Sequence, residues 1–264
     1  MNTYFTLVTG ASKGFGKAMS LELAGRGMNL VLIALPNSGL KELSRFIENN
    51  YDVKVYYLEE DLSIIDTYYE ISDFIENNNI NIKYLINNAG ILSRGFFEDL
   101  ENQFVIDQIE VNVLAPTVLI KLLLPNLKQN APAGILNISS MASFFALPKK
   151  QVYGGTKAYL MSFSKSLRKE LKKDHISVTT ICPGALNTTT KLCYQNRILG
   201  FMARESTLTP EVAAKIAIEG MLRGKKVIVP GFINKCFVAL DKVLPEFIED
   251  RLTNGEIKKL ETIN

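Results

Sequence analysis

Short apolar runs alternate with longer amphipathic ones along this chain. Near-continuous apolar stretches at residues 4–8, 30–34, 53–58, 84–87, 134–138, 177–181 and 226–229 predict strands. Strands apolar on both sides belong to a parallel sheet whose two faces are covered. Between them, apolar positions spaced three and four apart predict helices over residues 14–26, 38–49, 63–77, 101–129, 152–173 and 209–222. This rhythm predicts a doubly wound α/β fold in one domain, a seven-stranded parallel sheet with helices on both faces. The polar stretch of Glu76, Asn77, Asn78, Asn79 and Asn81 reads as a helix-to-strand turn, not a domain boundary. Residues 188–207 carry mixed polarity and no strand pattern, as expected of a mobile lid after a strand end.

Composition narrows the class. At 264 residues and 47% hydrophobic, the chain can bury a sizeable core. The net charge is only +3 and no basic run stands out, which argues against nucleic acid as a partner. Lys165, Lys169, Lys172 and Lys173 read as one solvated helix face. Cys182, Cys193 and Cys236 form no C-x-x-C pair, so reduced thiols are expected, without a disulfide framework. His175 is the only histidine, and no group of His, Cys and acids has metal-ligand spacing, so no metal is expected. Neither a basic-then-apolar leader nor an uninterrupted apolar span of ~18 residues is evident, which makes a cytoplasmic protein the expectation.

The first chemical signal follows the first strand: Thr9-Gly10-Ala11-Ser12-Lys13-Gly14-Phe15-Gly16. Gly10 permits a tight turn, Gly14 lets the backbone approach a pyrophosphate, and Gly16 allows close helix–strand packing. The helix that follows presents free N–H groups and its positive dipole end to a phosphate. The spacing G-x-x-x-G-x-G departs from the general dinucleotide fingerprint G-x-G-x-x-G. It resembles the T-G-x-x-x-G-x-G hallmark of the short-chain dehydrogenase/reductase family. Asn87-Asn88-Ala89-Gly90 at the end of the fourth strand resembles that family's N-N-A-G motif. Asp61-Leu62 stands where the family places an adenine contact. Pro183-Gly184, with Thr188 four residues on, matches its segment near the nicotinamide. The resemblance covers about residues 3–230, taken as the dinucleotide-binding catalytic domain. Residues 231–264 then read as a C-terminal helical extension of the same domain.

The cofactor's identity rests on the second strand. An acidic residue after it would bind a ribose 2′-hydroxyl. Here the chain reads Leu35-Pro36-Asn37-Ser38, with no carboxylate to repel a 2′-phosphate. Leu35 stands where many NADP-using relatives carry Arg, but Lys13 resembles their basic loop residue, and Asn37 and Ser38 are potential donors. NADP is therefore expected over NAD.

Tyr153-Gly154-Gly155-Thr156-Lys157 is the reaction signal. A spacing of four puts Tyr153 and Lys157 on one helix face. A free tyrosine titrates near ~10, and an adjacent ammonium favours its phenolate. Ser140 lies thirteen residues upstream, the spacing that the resemblance assigns to a substrate-orienting serine; Ser139 is the alternative. Asn112 matches the family's helix asparagine, which is thought to complete a water relay to the lysine. The resemblance implies hydride transfer between nicotinamide and a carbonyl or alcohol carbon, with Tyr153 as acid/base. Phe144, Phe145 and Leu147 suggest an apolar pocket wall, hence an apolar small-molecule substrate. Phe232, Ile233, Phe237, Val238, Leu240, Val243 and Leu244, closed by Pro245, predict an apolar tail helix. That helix reads as a pocket cap, an oligomer contact or a membrane-surface contact. Relatives imply a homodimer or homotetramer. The competing function is a cofactor-binding sensor or scaffold without turnover, which has no need of all four residues Asn112, Ser140, Tyr153 and Lys157.

Overall fold

The computed structural model describes residues 3–92, 95–187 and 207–241. Its strands are β1 (Tyr4–Thr9), β2 (Asn29–Ala34), β3 (Val55–Glu59), β4 (Asn81–Asn87), β5 (Ala133–Ile138), β6 (Ile176–Ile181) and β7 (Val227–Ile228). They form one seven-stranded sheet in the order β3-β2-β1-β4-β5-β6-β7, parallel throughout. The order reverses between β1 and β4, and doubly wound sheets bind ligands at such a switch point, outside the carboxyl ends of the strands. The helices are α1 (Gly14–Ala24), α2 (Leu40–Asn50), α3 (Asp66–Asn77), α4 (Asn102–Ile109), α5 (Ala115–Gln129), α6 (Gln151–Glu170), α7 (Pro210–Leu222) and α8 (Phe232–Asp241).

Both faces of the sheet are buried through its central strands, while the edge strand β3 is half-buried or exposed along its length. On one face α1, α2 and α7 set Met19, Leu23, Leu40, Ile47, Ala217 and Ile218 against Val8, Leu30 and Leu32. On the other, α3 and α5 set Ile71, Ile75, Leu119, Leu123 and Leu127 against Leu7, Ile33, Ile82 and Leu85.

Three sequence expectations are corrected. β4 begins at Asn81, inside the stretch read as a turn. The polar start is tolerated because Asn126 of α5 accepts from the Ile82 N–H at 2.8 Å and donates to the Ile80 carbonyl at 2.9 Å. The helix expected over 101–129 is not regular: a π-helical turn, Glu110–Leu114, separates α4 from α5. That rod is long and apolar enough to span a membrane on length and composition alone; α5 spends Leu119, Leu123 and Leu127 on the sheet, while Ile106 and Ile109 of α4 stand exposed. The helix expected from 63 starts at Asp66, because the Asp61 carboxylate accepts from the Ser63 N–H and hydroxyl, holding a turn first.

Of the lid expected at 188–207, only Thr207 is among the described residues. Its ends are stitched together by a parallel bridge between Leu186 and Leu208 and by the Asn187 N–H donating to the Leu208 carbonyl. The tail helix is present as α8; Val243, Leu244 and Pro245 lie outside the described residues.

Candidate active site

The carboxyl ends of β1 and β4 are tied by two side chains. The Thr9 hydroxyl accepts from the N–H groups of Asn88 and Ala89, each at 3.0 Å. Asn88 answers by donating to the Thr9 and Gly10 carbonyls at 2.9 and 3.1 Å. The N-N-A-G segment thus braces the glycine turn as well as facing the cleft.

The turn leaves no room for side chains. Gly10 has φ +63°, and a Cβ there would sit 2.9 Å from the Ala89 Cα. A Cβ on Gly16 would run into the Gly10 carbonyl and come within 2.5 Å of the Asn88 amide. Gly10, Lys13, Gly14, Phe15, Gly16, Asn88, Ala89 and Gly90 enclose a hollow of about 310 Å³. The first turn of α1 carries no acid and no side-chain cap, so its N–H groups face the hollow as donors for an anion. These residues fit the diphosphate of a dinucleotide.

Beside it, a cleft of about 360 Å³ gathers Ser140, Tyr153, Lys157, Pro183 and Gly184 with Phe15, Asn88 and Gly90. Three interactions anchor α6 under this cleft. The Lys157 ammonium donates to the Ile138 carbonyl at 3.0 Å, and the Ser139 hydroxyl donates to the Lys157 carbonyl at 2.8 Å. A buried polar chain runs from Asn87 of β4 to Asn137 of β5 and on to Ser164 of α6, each step 2.8 Å. It fixes the helix against the two strands whose ends build the site.

These bonds separate two adjacent serines. Ser139 is buried and spends its proton on α6. Ser140 ends in extended backbone with its oxygen accepting from the Ala142 N–H at 3.1 Å, so the hydroxyl proton remains for a ligand in the cleft. The Lys157 ammonium stands 5.7 Å from the centre of the Tyr153 ring. Burial pushes its pKa down to about 8, so it is still mostly charged at neutral pH. Among the described residues no carboxylate pairs with it. The neighbouring Cys182 thiol is pushed up by burial and is therefore neutral, adding no counter-charge. The charge next to Tyr153 is thus uncompensated, the condition that favours a phenolate.

Asn112 lies behind the cleft, in the π turn. Its amide accepts from the Ile91 N–H at 2.8 Å and donates to the Ile91 carbonyl and the Thr156 hydroxyl. Its Oδ1 and the Lys157 Nζ flank Gly90, each 3.2 Å from where a Cβ would stand. Asp61 and Leu62 lie beyond β3, and neither they nor Ser12 line the hollow or the cleft. Thr188 lies outside the described residues. Leu147 lines the cleft as expected, but Phe144 and Phe145 do not; their rings pack 6.4 Å apart on each other. Ser139 borders the cleft too, and Leu92, Met141, Ala142, Lys150, Ala185 and Leu186 add wall that no sequence signal singled out. The tail contributes indirectly, since the Asn234 amide of α8 packs against Gly184.

A glycine-lined phosphate hollow joined to a Ser/Tyr/Lys cleft at the switch point defines a nucleotide-dependent α/β enzyme scaffold. The chain matches the short chain dehydrogenase family over residues 5–195 and belongs to that family. It is 35% identical over 185 residues to very-long-chain 3-oxoacyl-CoA reductase-A of Danio rerio, covering 68% of this chain and 57% of that protein. The chain therefore spans less than two thirds of that relative's length. Among solved structures it resembles the short-chain dehydrogenase of Sphingobium yanoikuyae in complex with NADPH. The TM-score is 0.79, with 26% identity, 91% of this chain and 93% of that one covered. It also resembles the bulky-bulky ketone specific alcohol dehydrogenase of Comamonas testosteroni, with TM-score 0.78, 26% identity and 92% of each chain covered.

Proposed function

We propose that this protein is an NADP(H)-dependent oxidoreductase interconverting a ketone and a secondary alcohol on a bulky, largely apolar substrate. The observation that carries this reading is the convergence of Ser140, Tyr153 and Lys157 on one cleft that opens beside the phosphate hollow. The cofactor, when bound, supplies or accepts the hydride. Gly10, Lys13, Gly14, Gly16 and Gly90 would hold its phosphates. Ser140 donates to the substrate oxygen and stabilises the charge that develops there. Tyr153 gives that oxygen its proton in reduction and removes it in oxidation. Lys157 lowers the cost of the phenolate. Asn112 fixes the Ile91 segment, and through Thr156 the turn of α6 that carries Tyr153.

NADP over NAD is supported by the loop after β2, which holds no carboxylate, and by exposed Lys13 on the rim of the phosphate hollow. The NADPH-bound relative points the same way. The substrate class is supported by the apolar wall of Leu92, Met141, Leu147 and Leu186 and by relatives named for bulky ketones and very-long-chain 3-oxoacyl thioesters.

The test is a screen of ketones followed by NADPH oxidation, repeated with NADH. Turnover of bulky ketones with NADPH is expected, with Tyr153→Phe losing at least about a thousandfold while still binding NADPH. Full turnover in that variant would overturn the mechanism.

A further inference from the structure

Ser140 and Tyr153 stand on different elements, the end of β5 and the first turn of α6. The joint between them is a 3-10 turn, Met141–Ser143. The Met141 N–H donates to the Pro183 carbonyl at 3.0 Å, which seats the turn on the segment after β6. On its other side the Ala142 carbonyl approaches α6 so closely that a Cβ on Gly154 would stand 3.2 Å from it. Glycine inside a helix is unfavourable relative to alanine, and this approach accounts for one beside Tyr153. Any shift of the turn therefore moves Ser140 relative to Tyr153.

The turn closes on the Ser140 carbonyl, which accepts twice from one residue: from the Ser143 N–H at 3.0 Å and from the Ser143 hydroxyl at 2.6 Å. An i→i+3 backbone bond has poor geometry by itself, and the hydroxyl doubles it. That hydroxyl has two other neighbours, the Met161 sulfur of α6 at 3.6 Å and the Cys182 sulfur at 3.9 Å. Sulfur is a weak acceptor, so the proton stays on the carbonyl. In return the Ala142 N–H of the closed turn donates to the Ser140 hydroxyl oxygen, which leaves that hydroxyl's proton facing the cleft. Ser143 itself lines neither the cleft nor the phosphate hollow. Resting on the oxidoreductase reading, we infer that Ser143 is a positioning residue: it closes the turn that aims the Ser140 hydroxyl at the oxygen it shares with Tyr153.

The experiment is a double-mutant cycle on ketone reduction with NADPH. Ser143→Ala is expected to lower kcat about fivefold, the worth of one neutral hydrogen bond, with KM and NADPH affinity nearly unchanged. Ser143→Thr keeps the donor and should keep kcat. In the Ser140→Ala background, Ser143→Ala should cost nothing further, because the group it aims is gone. An undiminished loss in that background, or an equal loss in Met161→Leu, would make Ser143 a packing residue and overturn the role. A second readout needs no turnover. A bulky aryl dimethylamide, a ketone mimic that hydride does not reduce, is bound to the NADPH-loaded protein and its carbonyl stretch is followed by infrared difference spectroscopy. The stretch should move to lower frequency on binding, and Ser140→Ala and Ser143→Ala should each reverse part of that shift. A Ser143-dependent shift in a protein that reduces no ketone would sink the reaction assignment and leave the positioning role standing. Ketone turnover with an additive cycle would sink the positioning role alone.

Discussion

The two halves of the ligand groove are built from different materials. The phosphate hollow is made of backbone: glycines without room for a Cβ, the bare N-terminus of α1, and the Thr9 hydroxyl clamping β1 to β4. The substrate cleft is made of side chains. Its chemistry stands on α6, but its walls come from irregular segments after β4, β5 and β6. Backbone shape can serve one ligand, and every family member can keep it. Side chains on loops can be exchanged without disturbing the sheet, so specificity is free to vary there.

That contrast can be tested where it is sharpest, at Ser139 and Ser140. Ser140→Ala removes the donor to the substrate oxygen and should cost about 10²–10³ in kcat, measured by NADPH oxidation, with stability nearly unchanged. Ser139→Ala removes the bond to the Lys157 carbonyl and should cost about 1 kcal/mol of stability and only a few-fold in turnover. The reverse pattern would mean that the two serines have been given each other's roles.

Next in size is the buried ammonium. Folding takes the Lys157 pKa from the ordinary lysine range down to about 8, because burial disfavours the charge. Below pH 8 both folded and unfolded chains carry the proton, and the folded one bears a penalty of order 3 kcal/mol. Between pH 8 and about 10.5 the unfolded chain binds more protons, so this contribution to stability should rise with pH. Lys157→Met should be inactive, more stable at pH 7, and without that rise. Denaturant unfolding across this range checks the sign, and a wild type that loses stability relative to Lys157→Met between pH 8 and 10 would contradict it.

On the backbone side, Gly16→Ala drives a methyl into the Gly10 carbonyl. It should cost roughly 1–3 kcal/mol of stability and weaken cofactor binding more than tenfold, read by thermal shift with and without NADPH. The smallest effect is expected at exposed Lys13. Lys13→Ala should weaken NADPH binding by a few-fold and leave NADH binding unchanged; equal losses for both would remove Lys13 from any role in the 2′-phosphate preference.

How much of this was legible in the sequence follows from the same division. The central strands announce themselves because both their faces are buried and their apolar runs are continuous. The glycine turn and the Tyr153/Lys157 pair are local patterns with fixed spacing. Other features had no local signature. The start of β4 at Asn81 depends on Asn126, 45 positions later in the chain, supplying its partners. The carbonyls of Ile138 and Ile91 matter as backbone atoms, which a side-chain code does not show. Lys150 reaches the cleft wall only because a turn held by Leu147 and Gly95 sets the start of α6 there. Phe144 and Phe145 misled because an apolar residue near a catalytic serine reads the same whether it faces a ligand or its neighbour.

The π turn at Glu110–Leu114 has a consequence for how the chain can change length. Each residue of a regular helix advances the azimuth by about 100°, so one extra residue in a turn puts α4 and α5 out of phase by that amount. The phase slip is what lets Asn112 point inward while Leu119, Leu123 and Leu127 still meet the sheet. Deleting Val113 would heal the hydrogen-bond ladder and keep that leucine row on its strands, but take Asn112 away from the Ile91 segment and Thr156. Helical regularity and a working site are alternatives in this segment, so single-residue insertions and deletions here should be far less tolerated than in the exposed loop around Glu98.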